Sequence, residues 1–151
     1  MKKTQEFSLT DFKKKLKPNT ALIGIDYGAV RIGVAVSDTR QVLASPLKII
    51  HKIIELDDIV HTRNIGGFVI GMPFQPDGSE GKTAHQVRLF ANRLIEKYAL
   101  PVLFIDERHS SVDTTDRLQT DLGLNTKKIK QNLDAVVAAF LLQSVLDQFE
   151  K

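Results

Sequence analysis

Three strand-like runs crowd into residues 21–50 with almost no chain between them: Ala21–Asp26, Ile32–Ser37 and residues 42–50. Residues 27–31 join the first pair, and a turn at Asp38-Thr39-Arg40 joins the second. Connections this short admit only antiparallel neighbours, because a parallel pair needs a crossover of a dozen or more residues. The folded part of the chain therefore opens as a meander, and whatever follows must build onto it.

The second half changes character. A helix is expected over residues 55–64, with Leu56, Ile59 and Val60 on one face, and Gly66-Gly67 leads into a strand over 68–71. After a Pro- and Gly-rich loop, residues 82–99 place Ala84, Val87, Ala91, Leu94 and Tyr98 at helical spacing. Pro101 precedes a strand over Val102–Asp106, a short helix is expected over 111–122, and a last helix from near Asn132 to about Phe149. The order β-β-β-α-β-α-β-α-α predicts the α/β class: a mixed five-stranded sheet, antiparallel meander first and βαβ crossovers after it, with helices on both faces. Residues 1–19 read as a basic N-terminal extension, with a short helix from Leu9 to Leu16 after Ser8 that Pro18 stops. Residues 20–151 then form one domain of ordinary size.

Composition excludes several classes. With no Cys there is neither a disulfide framework nor a thiolate metal site. The longest uncharged apolar run, after Asp134, is about ten residues against the roughly 20 a bilayer span requires. The Lys-rich start lacks the apolar stretch of a signal peptide, so the expected location is the cytoplasm, away from membranes. The pI near 9.2 is unevenly sourced. Residues 1–19 carry six lysines against two acids, while the remainder carries 15 basic and 16 acidic residues. Net positive charge thus belongs to the extension, and it speaks equally for a polyanion partner and for a solubilising tail.

Three carboxylates stand in strongly apolar sequence at the ends of expected elements. Asp26 closes Ala21-Leu22-Ile23-Gly24-Ile25, Glu107 follows Val102-Leu103-Phe104-Ile105-Asp106, and Asp134 opens the apolar last helix. Carboxylates in apolar surroundings are costly without a partner. Ligands of open α/β sheets gather at the carboxyl ends of strands. Together these point to one shared site with hard oxygen ligands, suited to Mg²⁺ or Mn²⁺. If the strand persists, Asp106 and Glu107 point to opposite faces, and Glu107 is the one opposite buried Phe104. Two other motifs fall away. Gly81-Lys82-Thr83 resembles the end of a phosphate-binding P-loop, but Pro76 stands where that pattern requires Gly. Gly24-Ile25-Asp26-Tyr27-Gly28 resembles the first phosphate loop of actin-like ATPases, whose second half this chain is too short to hold.

These residues carry a close resemblance to the YqgF family, also called RuvX, described as Holliday junction resolvases and as pre-16S rRNA nucleases. The resemblance covers Gly24-Ile25-Asp26-Tyr27-Gly28 with Arg31-Ile32-Gly33-Val34-Ala35-Val36-Ser37-Asp38. It continues through Gly71-Met72-Pro73, Asp77-Gly78-Ser79-Glu80-Gly81, Phe90-Ala91 and Asp106-Glu107-Arg108, and ends with Asp134 and its helix. Val30 stands where the family often has a basic residue and His109 where it usually has Leu. The resemblance implies an RNase H-like fold and a nuclease whose catalytic and metal-binding acids are Asp26, Glu107 and Asp134, with two Mg²⁺ or Mn²⁺ ions. Arg31, Lys82, Arg108, Lys127, Lys128 and Lys130 are candidates for nucleic-acid phosphates. The implied role is processing of the 5′ end of pre-16S rRNA, with structured RNA and pre-ribosomal particles as partners. The alternatives are a resolvase of branched DNA, which needs two sites related by symmetry, and a non-catalytic nucleic-acid-binding or ribosome-assembly module.

Overall fold

The computed structural model of the chain describes residues 7–107 and 133–149. Five strands, β1 (Ala21–Asp26), β2 (Ile32–Ser37), β3 (Ala44–Ile50), β4 (Ile65–Met72) and β5 (Val102–Asp106), form a single sheet in the order β3-β2-β1-β4-β5. The first three pair antiparallel, whereas β4 lies parallel to β1 and β5 parallel to β4. This is the mixed α/β sheet the spacing predicts, meander first and crossovers after it. Pro46 lies in the edge strand β3, where the pairing shifts register between Val34 and Ala35. An edge position tolerates the missing amide.

Among the described residues four helices cover the sheet: α1 (Leu9–Lys15), α2 (Asp57–Thr62), α3 (Lys82–Tyr98) and α4 (Leu133–Phe149). Strand alternation separates two apolar layers. On one side Ile23, Ile25, Val34, Phe68, Ile70 and Val102 pack with Ile59 of α2 and with Val87, Phe90 and Leu94 of α3. On the other side Leu22, Ala35, Val69 and Leu103 pack with Phe12 of α1 and with Ala138, Leu142 and Val145 of α4. The α4 sequence is apolar nearly all round because most of its surface is covered.

Boundaries differ from expectation in physically readable ways. The strand expected at 68–71 begins at Ile65, so Gly66-Gly67 lie within β4. A Cβ at Gly67 would stand 2.9 Å from Leu16 and 3.1 Å from Phe12, so small residues there let α1 approach the sheet. The helix expected at 55–64 is a 3-10 turn, Ile53–Leu56, followed by the short α2. The helix expected at 111–122 lies outside the described residues. Within the stretch read as an extension, α1 is capped by the Ser8 hydroxyl, which accepts from the Asp11 amide at 3.2 Å. Its Phe12 is fully buried in the α4-side core, and the Lys13 ammonium donates to the Phe149 carbonyl at 2.9 Å. The stretch read as a basic extension thus places a large side chain in the core.

Candidate active site

Parallel pairing of β1, β4 and β5 brings their carboxyl ends to one end of the sheet. Asp26 is the last residue of β1. Leu22, Gly24 and Asp26 alternate onto the α4 side, while the neighbouring Tyr27 ring packs against Phe90 of α3 with centroids 5.0 Å apart. Glu107 comes one residue after β5 and is held to β4 by its amide, which donates to the Met72 carbonyl at 3.3 Å. Its carboxyl lies over Gly71, next to Leu141 of α4. Asp106, on the opposite alternation, is exposed.

Asp134 arrives from α4, and glycines make the approach possible. A Cβ at Gly24 would stand 2.8 Å from the Ala138 carbonyl and from Leu142, and one at Gly33 would fall on the Asp134 carbonyl itself. Gly33 is the cross-strand partner of Asp26. The first turn of α4 therefore lies directly on the strand beside Asp26. Gly24, Gly33 and Gly71 form a floor without side chains at the site end of the sheet. Reading the sequence for charged residues missed this floor; the available signal was glycine on the α4-side alternation of β1, β2 and β4, one of them two residues before Asp26.

The electrostatics tie the acids together. The Asp26 pKa is raised from 3.8 to about 7, first by burial and then by the negative charges of Glu107 and Asp134. Burial, followed by the charge of Asp106, raises that of Glu107. Asp134 is compensated from the loop after β1: Arg31 Nε lies 3.6 Å from its Oδ2. Among the described residues no three His, Asp or Glu side chains close around a single point as a ready three-ligand shell. Three hard oxygen groups sharing a partly buried, negatively charged end of the sheet fit divalent cations such as Mg²⁺ or Mn²⁺.

The remaining candidates separate clearly. Arg31 stands at the site. Lys82 is exposed as the first residue of α3, after the loop that leaves β4. Arg108, Lys127, Lys128 and Lys130 lie outside the described residues, as does His109. The loop before Lys82 spends its own amides. Gln75 donates to the Ser79 carbonyl and Gly78 to the Gln75 carbonyl, each at 2.8 Å, and the Ser79 amide donates to Asp77 at 2.9 Å. A phosphate-cradling loop needs those groups turned outward. Glu80 grips Arg88 of α3 through two bonds of 2.5 and 2.6 Å, and Arg88 lies 5.2 Å from the Phe104 ring centre. The pair clamps the loop onto α3 and β5.

Comparison with known proteins places this architecture. The family model described as "RuvX: Holliday junction resolvase" matches residues 20–148. A protein of Rhodobacter capsulatus named "Putative pre-16S rRNA nuclease" is 40% identical over 146 residues, covering 93% of this chain and 91% of that one. One of Pelagibacter ubique with the same name is 38% identical, covering 93% and 96%. Among solved structures, Thermus thermophilus RuvC in complex with a Holliday junction substrate superposes with a TM-score of 0.56 at 14% identity, covering 86% of this chain and 96% of that one. A second RuvC structure gives a TM-score of 0.57. The fold is RNase H-like, and the chain belongs to the RuvX family.

Proposed function

We propose that this member of the RuvX family is a nuclease that hydrolyses phosphodiester bonds in nucleic acid with the help of divalent cations, acting on the 5′ end of pre-16S rRNA in the cytoplasm. The observation that carries the reading is Asp26. It is a carboxylate forced up to about pH 7 by burial and by two further acids from different elements, at the end of the sheet where such folds bind ligands. The names of the relatives in Rhodobacter capsulatus and Pelagibacter ubique support the RNA substrate. Among the described residues no helix is long and apolar enough to cross a membrane.

In this reading Asp26, Glu107 and Asp134 are the residues that would hold the cations. Few protein ligands would suffice, since Mg²⁺ usually keeps several waters and is bound in part by substrate phosphates. Bound cations would supply an activated water and stabilise the leaving 3′-oxygen. The chain's own contribution is orientation. Gly33 and Gly24 set the height of Asp134, the Glu107 amide bond to Met72 sets that carboxyl, and Tyr27 against Phe90 keeps Asp26 turned to the α4 side. Arg31 and Lys82 hold backbone phosphates, joined by Arg108, Lys127, Lys128 and Lys130.

The family description and the RuvC architecture favour a second reading, cleavage of branched DNA. Incubating the purified protein with precursor 16S rRNA and with a synthetic four-way junction, with Mn²⁺ or chelator, separates the two. Precursor cleavage that needs the cation and is lost in Asp26→Asn, Glu107→Gln and Asp134→Asn is the expected result, each falling by about 100-fold or more because the acids act as a unit. Cleavage of the junction alone would move the protein to the second reading, and cation-independent cleavage would remove the metal.

A further inference from the structure

Arg31 is built as a long arm on a fixed base. A Cβ at Gly28 would stand 2.5 Å from the Arg31 carbonyl, so the turn is packed tightly against itself. The preceding Val30 carbonyl is bonded to the His51 ring at 3.0 Å. The backbone on this side of Arg31 is thus anchored to the end of β3, yet the Arg31 side chain is 66% exposed. Its guanidinium spans to Asp134, whose side chain is 31% exposed, at 3.6 Å. That separation is an ion pair without close hydrogen-bond geometry, open to water, and worth little by itself. Such a pair exchanges partners readily.

Resting on the metal-dependent nuclease reading, we infer that Arg31 and a divalent cation compete for the Asp134 carboxylate, and that cation binding hands the guanidinium to a phosphate of the nucleic acid. Two cations on one carboxylate repel each other. The guanidinium needs only side-chain rotation to leave, and its planar fork matches a phosphate as well as it matches a carboxylate. The exchange couples the two ligands. Cation binding frees a phosphate contact, and by reciprocity nucleic acid that captures Arg31 leaves Asp134 a better cation ligand. Arg31 is on this account a positioning residue that links site loading to substrate capture.

The test compares wild type, Arg31→Gln and Arg31→Lys in two binding assays. Calorimetric titration with Mn²⁺ alone is expected to show Arg31→Gln binding about 2- to 5-fold tighter than wild type, the range set by an exposed pair, with Arg31→Lys close to wild type. Binding of a fluorescein-labelled RNA hairpin in Ca²⁺ is expected to show the opposite order. Arg31→Gln should bind more weakly, with a slope of log affinity against log salt shallower by about one. Ca²⁺ should also enhance its RNA affinity less than it does in wild type. Mn²⁺ affinity in Arg31→Gln equal to or weaker than wild type, or an unchanged salt slope, would overturn the inference. If wild type binds Mn²⁺ and Asp26→Asn does not, that failure is confined to Arg31. If wild type binds no divalent ion, the metal reading and the inference fall together.

Discussion

Replacing Asp26 by Asn should stabilise the protein in chelator, and more so as pH rises. The Asp26 carboxyl is held at about pH 7 in the fold against 3.8 for the free group. Its ionised form is therefore disfavoured by roughly 4 kcal/mol once pH passes 7. Between the two values the native state holds a proton that the unfolded chain has released, so stability falls as pH rises through this window. Integrated from pH 5 to pH 8, this group alone removes up to about 3 kcal/mol. Relaxation and water entry at a half-buried site reduce that, and about 1–2 kcal/mol is the expected fall. Asn keeps the shape and carries no charge, so it also relieves Glu107 and Asp134. Urea denaturation of both proteins in EDTA at pH 5, 6, 7 and 8 measures the effect. Wild type should lose stability faster than Asp26→Asn, and the variant should be the more stable protein at pH 8 by about 1–3 kcal/mol. Parallel curves, or a variant less stable at pH 8, would refute the burial and crowding of negative charge from which the site is argued.

Added Mg²⁺ or Mn²⁺ should raise the wild-type melting temperature by mass action. Calorimetry should show that rise largely lost in Asp26→Asn, and equal shifts would move the cation elsewhere. Gly33→Ala drives a methyl group onto the Asp134 carbonyl; about 3 kcal/mol of stability should go with it as α4 is forced off the sheet, and cleavage should fall even where circular dichroism shows a folded protein. Phe12→Ala should cost about 3–5 kcal/mol by denaturant titration, because its ring is fully buried against β4 and α4. Truncation of residues 1–19 removes the same ring and should destabilise comparably, whereas Lys14→Ser with Lys15→Ser, on the exposed face of α1, should change only the salt dependence of nucleic-acid binding.

Connection length and periodicity act locally, and what depends on them could be read from the chain alone. Five residues between Asp26 and Ile32 force β1 and β2 antiparallel whatever surrounds them, and Pro101 before Val102–Asp106 marks the start of β5 where the structure has it. The α/β class, a meander followed by crossovers, and a last helix starting near Asn132 follow from such rules, whereas the place of β4 beside β1 does not. The acids announced themselves because a carboxylate inside an apolar run conflicts with its surroundings, and a conflict is visible in one dimension. What the tertiary structure decided is what those charges meet. Glycine at 24, 33 and 71 reads in sequence as flexibility or a weak strand, and only the packing of α4 turns it into a floor that lets a helix lie on the sheet. Arg31 reads as one more basic residue until Asp134, more than a hundred positions away, arrives 3.6 Å from its Nε. Phe12 sits in a lysine-rich stretch whose charge suggests a tail, yet the gap above Gly67 takes its ring into the core. In each case the deciding partner is distant along the chain, and pairwise approach of distant segments is the one quantity that local pattern does not contain.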